Sequence, residues 1–204
     1  MPPFAVGHTP RSKGKIIGQK RPLKPEAVQL IRAALEAEGS RRDCLLFDLA
    51  LDSKLRACDL VRLKIGDVVA HGCPRDRTTV MQKKTKRPVQ FEITPRTRAK
   101  LQAWLQPPGW DEEDYLFPSE LRDSHISEGQ YARFIRKCIL LAGLDPSTHA
   151  VHSMRRTKVT QLYRKTGNLR AVQLLLGHAN ITSTVVYLGV EVEDALLLSE
   201  QVDI

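Results

Sequence analysis

A single alternating stretch, with Val89, Phe91 and Ile93 apolar and Gln90 and Glu92 between them, interrupts a 204-residue chain whose other apolar residues recur at helical spacing. Side chains alternate across a strand with a period of two, whereas one face of a helix is repeated every three or four residues. Residues 79–82 also have the composition of a strand, and the turn-prone Lys83-Lys84-Thr85-Lys86-Arg87-Pro88 joins the two runs. A hairpin with positive charge at its tip is expected there. The flanking sequence is written for helices. Pro25 suits the first turn of a helix whose stripe is Val28, Ile31 and Leu35, closed by Gly39. Ser40 caps a second helix, through Leu45, Leu46, Leu49 and Ala50, that is apolar enough to be buried. Further helices are expected over residues 57–63, from Thr94-Pro95 to near Gln106, from Ser127 to Gly143, over 151–165 before Gly167, and from Asn168 to Gly177. Residues 182–190 and a segment with Ala195, Leu196, Leu197 and Leu198 have helical character too, and Pro107-Pro108-Gly109 reads as a loop. The fold class is mainly α with a small antiparallel β-sheet (α+β).

Charge divides the chain into three parts. Residues 1–24 carry Arg11, Lys13, Lys15, Lys20, Arg21 and Lys24 without an acid or an apolar period, and read as a flexible basic arm. After Arg170 there is no Lys or Arg, while Glu191, Glu193, Asp194, Glu200 and Asp203 make residues 191–204 an acidic tail. The formal net charge of +9 leaves the folded body between them, residues 25–190, basic as well. Such a balance suits a polyanionic partner. No apolar run approaches the ~20 residues of a membrane span, and no apolar stretch follows the basic N-terminus, so a cytoplasmic protein is expected. Cys44, Cys58, Cys73 and Cys138 are scattered without a C-x-x-C pair, which argues against a zinc site and a disulfide framework.

Four separated pieces carry the chemistry. Arg56 opens the short helix as Leu55-Arg56-Ala57-Cys58-Asp59-Leu60. Lys84-Thr85 lies at the hairpin. His152-Ser153-Met154-Arg155 puts a histidine and an arginine on one helical face. Leu176-Gly177-His178 is followed by Tyr187, nine positions after the histidine. Each alone has a plain reading as a surface arginine, a solvated turn, a structural pair or a core tyrosine.

Together and in this order they resemble the tyrosine recombinase (phage integrase) family. Its pattern is an arginine in a G-L-R-x-S-E-L-like segment, a hairpin lysine, H-x-x-R, then L-G-H and a nucleophilic tyrosine. The matching residues are Arg56, Lys84, His152 with Arg155, His178 and Tyr187. Lys83 and Lys86 are near rivals to Lys84. The resemblance spans roughly residues 25–190 and implies the catalytic-domain fold, with Lys54 standing where the family usually has glycine and Asp59 in place of glutamate. It also implies the short, catalytic-domain-only type, with the separate N-terminal clamp absent and an accessory DNA-binding partner or the basic arm in its place.

The residue types suit attack on a phosphodiester. Arg56 and Arg155 offer permanently charged forks for the nonbridging oxygens. His152 and His178 add hydrogen bonds, His152 can help take the tyrosine proton, and Tyr187 supplies the nucleophilic oxygen. The resemblance implies a 3′-phosphotyrosyl link, with Lys84 protonating the departing 5′ oxygen. The phosphoester is conserved in the link, so neither ATP, metal nor another cofactor is called for. Arg11, Lys13, Lys15, Lys20, Arg21, Lys83, Lys86, Arg87 and Arg156 are the candidate DNA contacts. The expected partner is double-stranded DNA, bound by a tetramer on paired sites that is a monomer when free. The tail packs either on a neighbouring protomer, as the resemblance implies, or on its own core. Two other readings stand beside it: a DNA-binding regulator or accessory protein on the same fold that no longer cuts, and a type IB topoisomerase-like enzyme, which uses the same nucleophile but relaxes DNA without exchanging strands.

Overall fold

A computed structural model describes residues 19–106, 109–120, 122–188 and 199–200. Helix α1 (Pro25–Ala37) starts on Pro25 and buries Ala27, Val28, Ile31 and Leu35. Ser40 caps α2 (Arg41–Ser53) by accepting from the Asp43 amide at 3.3 Å. Every residue of α2 from Cys44 to Ser53 is buried, and the helix packs against α1, a strand and two later helices. Full burial of Leu45, Leu46, Phe47 and Leu49 stabilises the fold by roughly 1.5–3 kcal/mol each. This helix is the axis of the molecule.

Two short helices follow, α3 (Ala57–Leu60) and α4 (Ile65–Val68). The pair β1 (Val69–Ala70) and β2 (Cys73–Pro74) is reversed through His71 and Gly72, with φ 50 and 73. Both central residues then have positive φ, the condition for a tight two-residue hairpin. The expected hairpin is β3 (Arg77–Met81) with β4 (Pro88–Glu92), antiparallel with Val80 opposite Val89 and Thr78 opposite Phe91. Its buried face is Val89 and Phe91, as the alternation requires.

Helix α5 (Pro95–Trp104) stops two residues before the expected end. A third pair, β5 (Pro118–Ser119) with β6 (Arg122–His125), leads to α6 (Glu128–Leu141), where Ser127 and Gln130 cap each other's backbone amides. Then come α7 (Val151–Thr166), α8 (Leu169–Leu176, capped by the Asn168 side chain) and α9 (Ile181–Leu188). Among the described residues the strands form three separate two-stranded pairs rather than one sheet. The outer pairs are too short to show an alternation.

The main core gathers α1, α2, α5, α6 and the hairpin. A smaller one holds Val159, Val172 and Leu176, with Leu162, Tyr163, Leu175, Tyr187 and Leu188 packed against it. Residues 19–24, expected as part of the flexible arm, are instead packed down: Leu23 is buried, its amide donates to Thr157 Oγ1 at 2.9 Å, and the Arg21 amide donates to Thr148 O at 2.9 Å. One apolar side chain with a place in the core is the reason. The rest of the arm, with Arg11, Lys13 and Lys15, and nearly all of the acidic tail lie outside the described residues. No single helix among the described residues is long and apolar enough to cross a membrane, and no cluster of His, Cys, Asp and Glu able to hold a metal occurs among them. Cys44 and Cys138 are buried as small core residues.

Candidate active site

Arg56 is the N-cap of α3, in extended conformation after Lys54, which closes α2 with φ 55. From there its Nη1 donates to Gln82 Oε1 at 2.7 Å. Gln82, at the end of β3, is 1% exposed, and the same oxygen accepts from Thr85 Oγ1 at 2.6 Å. Asp59, three residues after Arg56, accepts from the Lys83 amide at 2.8 Å. Two side chains thus tie the hairpin loop to α3. The loop lysines stay outside: Lys83, Lys84, Lys86 and Arg87 are all exposed, and their side chains form no hydrogen bond or ion pair with the described residues. The structure therefore holds the loop beside Arg56 but leaves Lys84 free of it.

Helix α7 brings two further residues. His152 lies in its first turn and is exposed, while Arg155, one turn on, is 4% exposed. Arg155 Nη2 donates to Leu176 O at 2.7 Å, a carbonyl at the C-terminal end of α8 with no helical partner of its own. Its Nη1 is buried without a hydrogen bond among the described residues. Gly177 ends α8 at φ 64, and His178 follows, its amide donating to Gln173 O at 3.1 Å while Gln173 Nε2 donates to His178 O at 3.1 Å. The His178 ring stands edge-on to Tyr187, centroids 5.4 Å apart. Arg155 Cζ lies 5.9 Å, and Arg156 Cζ 5.4 Å, from the centre of the Tyr187 ring. The tyrosine oxygen is buried and unbonded among the described residues.

The electrostatics of this cluster are cationic. Burial raises the Tyr187 phenol above its ordinary value, against the pull of Arg155, Arg156 and Arg56, so the oxygen is protonated at rest. Burial, then the charges of Arg155 and Arg56, press His178 down to about 4. Burial and the three arginines lower His152 as well. Both imidazoles are therefore neutral near pH 7, able to donate or accept. Among the described residues no carboxylate is ion-paired to Arg56 or Arg155, and Arg155 keeps a buried donor unused, an arrangement that suits an anion.

Residues 21–193 match the Phage integrase family. The chain belongs to that family. It is 34% identical over 167 residues to the tyrosine recombinase XerC of Erythrobacter litoralis, an alignment covering 78% of this chain and 51% of the relative. This family chain spans about half the length of the curated relatives it matches. Its fold is that of the XerA recombinase crystal structure (TM-score 0.72, 22% identity, 90% of this chain and 65% of the other). It is also that of XerH bound to its palindromic difH substrate in a post-cleavage complex (TM-score 0.68, 23% identity, 89% and 52%).

Two departures from the family pattern have a structural account. Lys54 occupies the left-handed conformation that favours glycine, and its ammonium lies buried 2.8 Å from Glu92. Asp59, shorter than glutamate, still reaches the Lys83 amide. Arg156, expected among the DNA contacts, is instead buried: Nη1 donates to Lys20 O at 2.8 Å and the group lies over Tyr187. Lys20 donates its ammonium to Ser147 O, and Arg21 is exposed. Sequence reasoning passed over Gln82, read only as a strand end, and Thr184, which bonds His178. Thr184 lies three residues before Tyr187, so helical spacing alone puts the two on one face.

Proposed function

We propose that this chain is the catalytic domain of a site-specific DNA recombinase, joining Tyr187 covalently to a DNA backbone phosphate. The observation that carries the reading is the buried, unbonded Tyr187 oxygen beside Arg155, a guanidinium with an unused buried donor. A phosphodiester supplies the missing acceptor. Arg56 and Arg155 hold the nonbridging oxygens as negative charge grows on them. His178 adds a hydrogen bond, and neutral His152 takes the proton that Tyr187 releases. The tyrosine oxygen bonds to phosphorus, and the bond from phosphorus to the 5′ oxygen breaks. Lys84, on the exposed loop, gives that oxygen its proton. Reversal with a different 5′ hydroxyl rejoins the strand.

Double-stranded DNA is the partner this reading requires, with Lys20, Arg21, Lys83, Lys86 and Arg87, together with the basic N-terminal residues, meeting its phosphates. Exchange of strands between two sites needs four nucleophiles, hence a tetramer on paired DNA; free of DNA the chain is expected to be a monomer. The chain's likeness in fold to the Tn1549 transposon integrase, solved in complex with transposon right end DNA, supports the choice of partner.

The test is trapping on a library of nicked duplexes, read on a denaturing gel. Wild type is expected to form a covalent protein–DNA adduct, and Tyr187→Phe to bind DNA without forming one. Tight binding with no adduct in wild type would overturn the cutting role and favour the non-cutting regulator.

A further inference from the structure

Thr184, in the first turn of α9, is 0% exposed. Its hydroxyl lies 3.1 Å from His178 Nδ1 and has no other hydrogen-bond partner among the described residues. Helical threonines commonly return their proton to the carbonyl four residues back. Thr157 and Thr166 do so here, to Ser153 O at 2.7 Å and Leu162 O at 2.8 Å. Thr184 does not. A buried hydroxyl without an acceptor forfeits the full cost of leaving water, and the acceptor within reach is the imidazole nitrogen. If Nδ1 carried the ring proton, the hydroxyl oxygen would accept it and the buried hydroxyl proton would be left without an acceptor.

The remaining surroundings narrow the choice to the two neutral tautomers. Arg155 and Arg56 oppose a second proton on the ring, and no carboxylate bonds it among the described residues. The His178 backbone is clamped on both sides by Gln173, so the ring moves only about its own side-chain bonds. Thr184 is the contact that fixes it.

We propose that Thr184 donates to His178 Nδ1 and so fixes His178 as the Nε2–H tautomer, a hydrogen-bond donor to the scissile phosphate and not a proton acceptor. Thr184 is then a positioning residue that acts through His178. This inference rests on the recombinase reading and divides the two histidines: His152 is left as the acceptor of the tyrosine proton. It also makes α9 responsible for two things at once. One face of the helix carries the nucleophile and, three residues earlier, the hydroxyl that sets its neighbour's tautomer. Undocking α9 removes both together.

The experiment is a long-range nitrogen–proton correlation spectrum of the full, nitrogen-15-labelled chain near pH 7.5, without DNA. Wild type and Thr184→Ser are expected to show the Nε2–H pattern for His178. Thr184→Val, which keeps the shape and loses the hydroxyl, is expected to show a mixed or Nδ1–H pattern. On the nicked duplexes, single-turnover adduct formation is expected to slow about tenfold in Val and to return in Ser, less than the roughly 10²–10³-fold loss when such a donor is removed outright. An Nδ1–H pattern in wild type, or a Val variant with the wild-type pattern, overturns the proposal. Should Val fail to fold, the wild-type and Ser spectra still decide. The spectra need no DNA, so a chain that forms no adduct but shows Nε2–H separates failure of the recombinase reading from failure of this one.

Discussion

Lys54 combines two costs at one residue, a left-handed backbone at φ 55 and an almost fully buried ammonium. Burial lowers its pKa, and Glu92, 2.8 Å away, opposes that shift. Glu92 also bonds Lys158, whose ammonium lies 2.7 Å from Asp52. Asp52 in turn accepts from the Thr94 amide at 2.9 Å and from Thr97 Oγ1 at 2.6 Å. Burial alone would raise both carboxyls, but the lysine hydrogen bonds outweigh it and hold them below their ordinary range. The chain of charges links the turn before Arg56 to α7, three residues after Arg155. Comparison of Lys54→Gly with Lys54→Ala isolates the backbone cost, since both lose the ammonium. The Gly variant is expected to be the more stable by about 1 kcal/mol, because a Cβ in the left-handed region is what glycine avoids. Urea midpoints measure it, and both variants are expected to fall below wild type.

Elements meet at the turn between α8 and α9. Gly177 has φ 64, and a Cβ added there would lie 2.5 Å from Val89 Cγ2 on β4. The glycine of Leu176-Gly177-His178 is therefore required twice, by its dihedral angle and by the strand against it. Gly167 shares the dihedral, at φ 63, but a Cβ on it would meet nothing within 4 Å. Gly167→Ala is expected to cost roughly 1–2 kcal/mol, the left-handed penalty alone. Gly177→Ala adds an overpacking cost, for a total of about 2–4 kcal/mol. Urea unfolding of the two variants separates angle from contact. Equal losses would mean that the strand yields to the new methyl. Helix boundaries with their own caps were legible, as at Ser40, Ser127 and Asn168. The short elements α4, β1–β2 and β5–β6 were not, because two to four residues hold no full period.

At the scale of the molecule, protonation couples the site to stability. His178 titrates at about 4 in the folded chain against an ordinary 6.5. On acidification the unfolded chain takes this proton first, so the contribution is intact above about pH 6.5 and is lost as pH falls towards 4. His152 is shifted in the same direction. Asp52 and Glu92 are lowered, so theirs is present above the ordinary carboxyl values of 3.8 and 4.5 and lost only on further acidification. Urea midpoints are expected to fall in two stages between pH 7.5 and 3.5, and His178→Gln to shrink the first. A midpoint flat from pH 7 to 5 in wild type would contradict the half-buried, arginine-flanked setting of His178.

What could be read along the chain was what neighbours in sequence decide. The period of two at Val89, Phe91 and Ile93, the caps, and the paired spacing of His152 and Arg155 rest on interactions within a few residues. Those were enough for the mainly helical fold and the hairpin, whereas the residues of the candidate site were read from the resemblance that the four separated pieces carry together. The tertiary structure alone decided that Arg155 and Arg156, adjacent in sequence, both lie against Tyr187, and that residues 19–24 pack down. It alone brought Gln82 to Arg56, 26 positions away. Such contacts follow from how whole helices and strands pack to bury their apolar faces, a sum over the entire chain that no local spacing records.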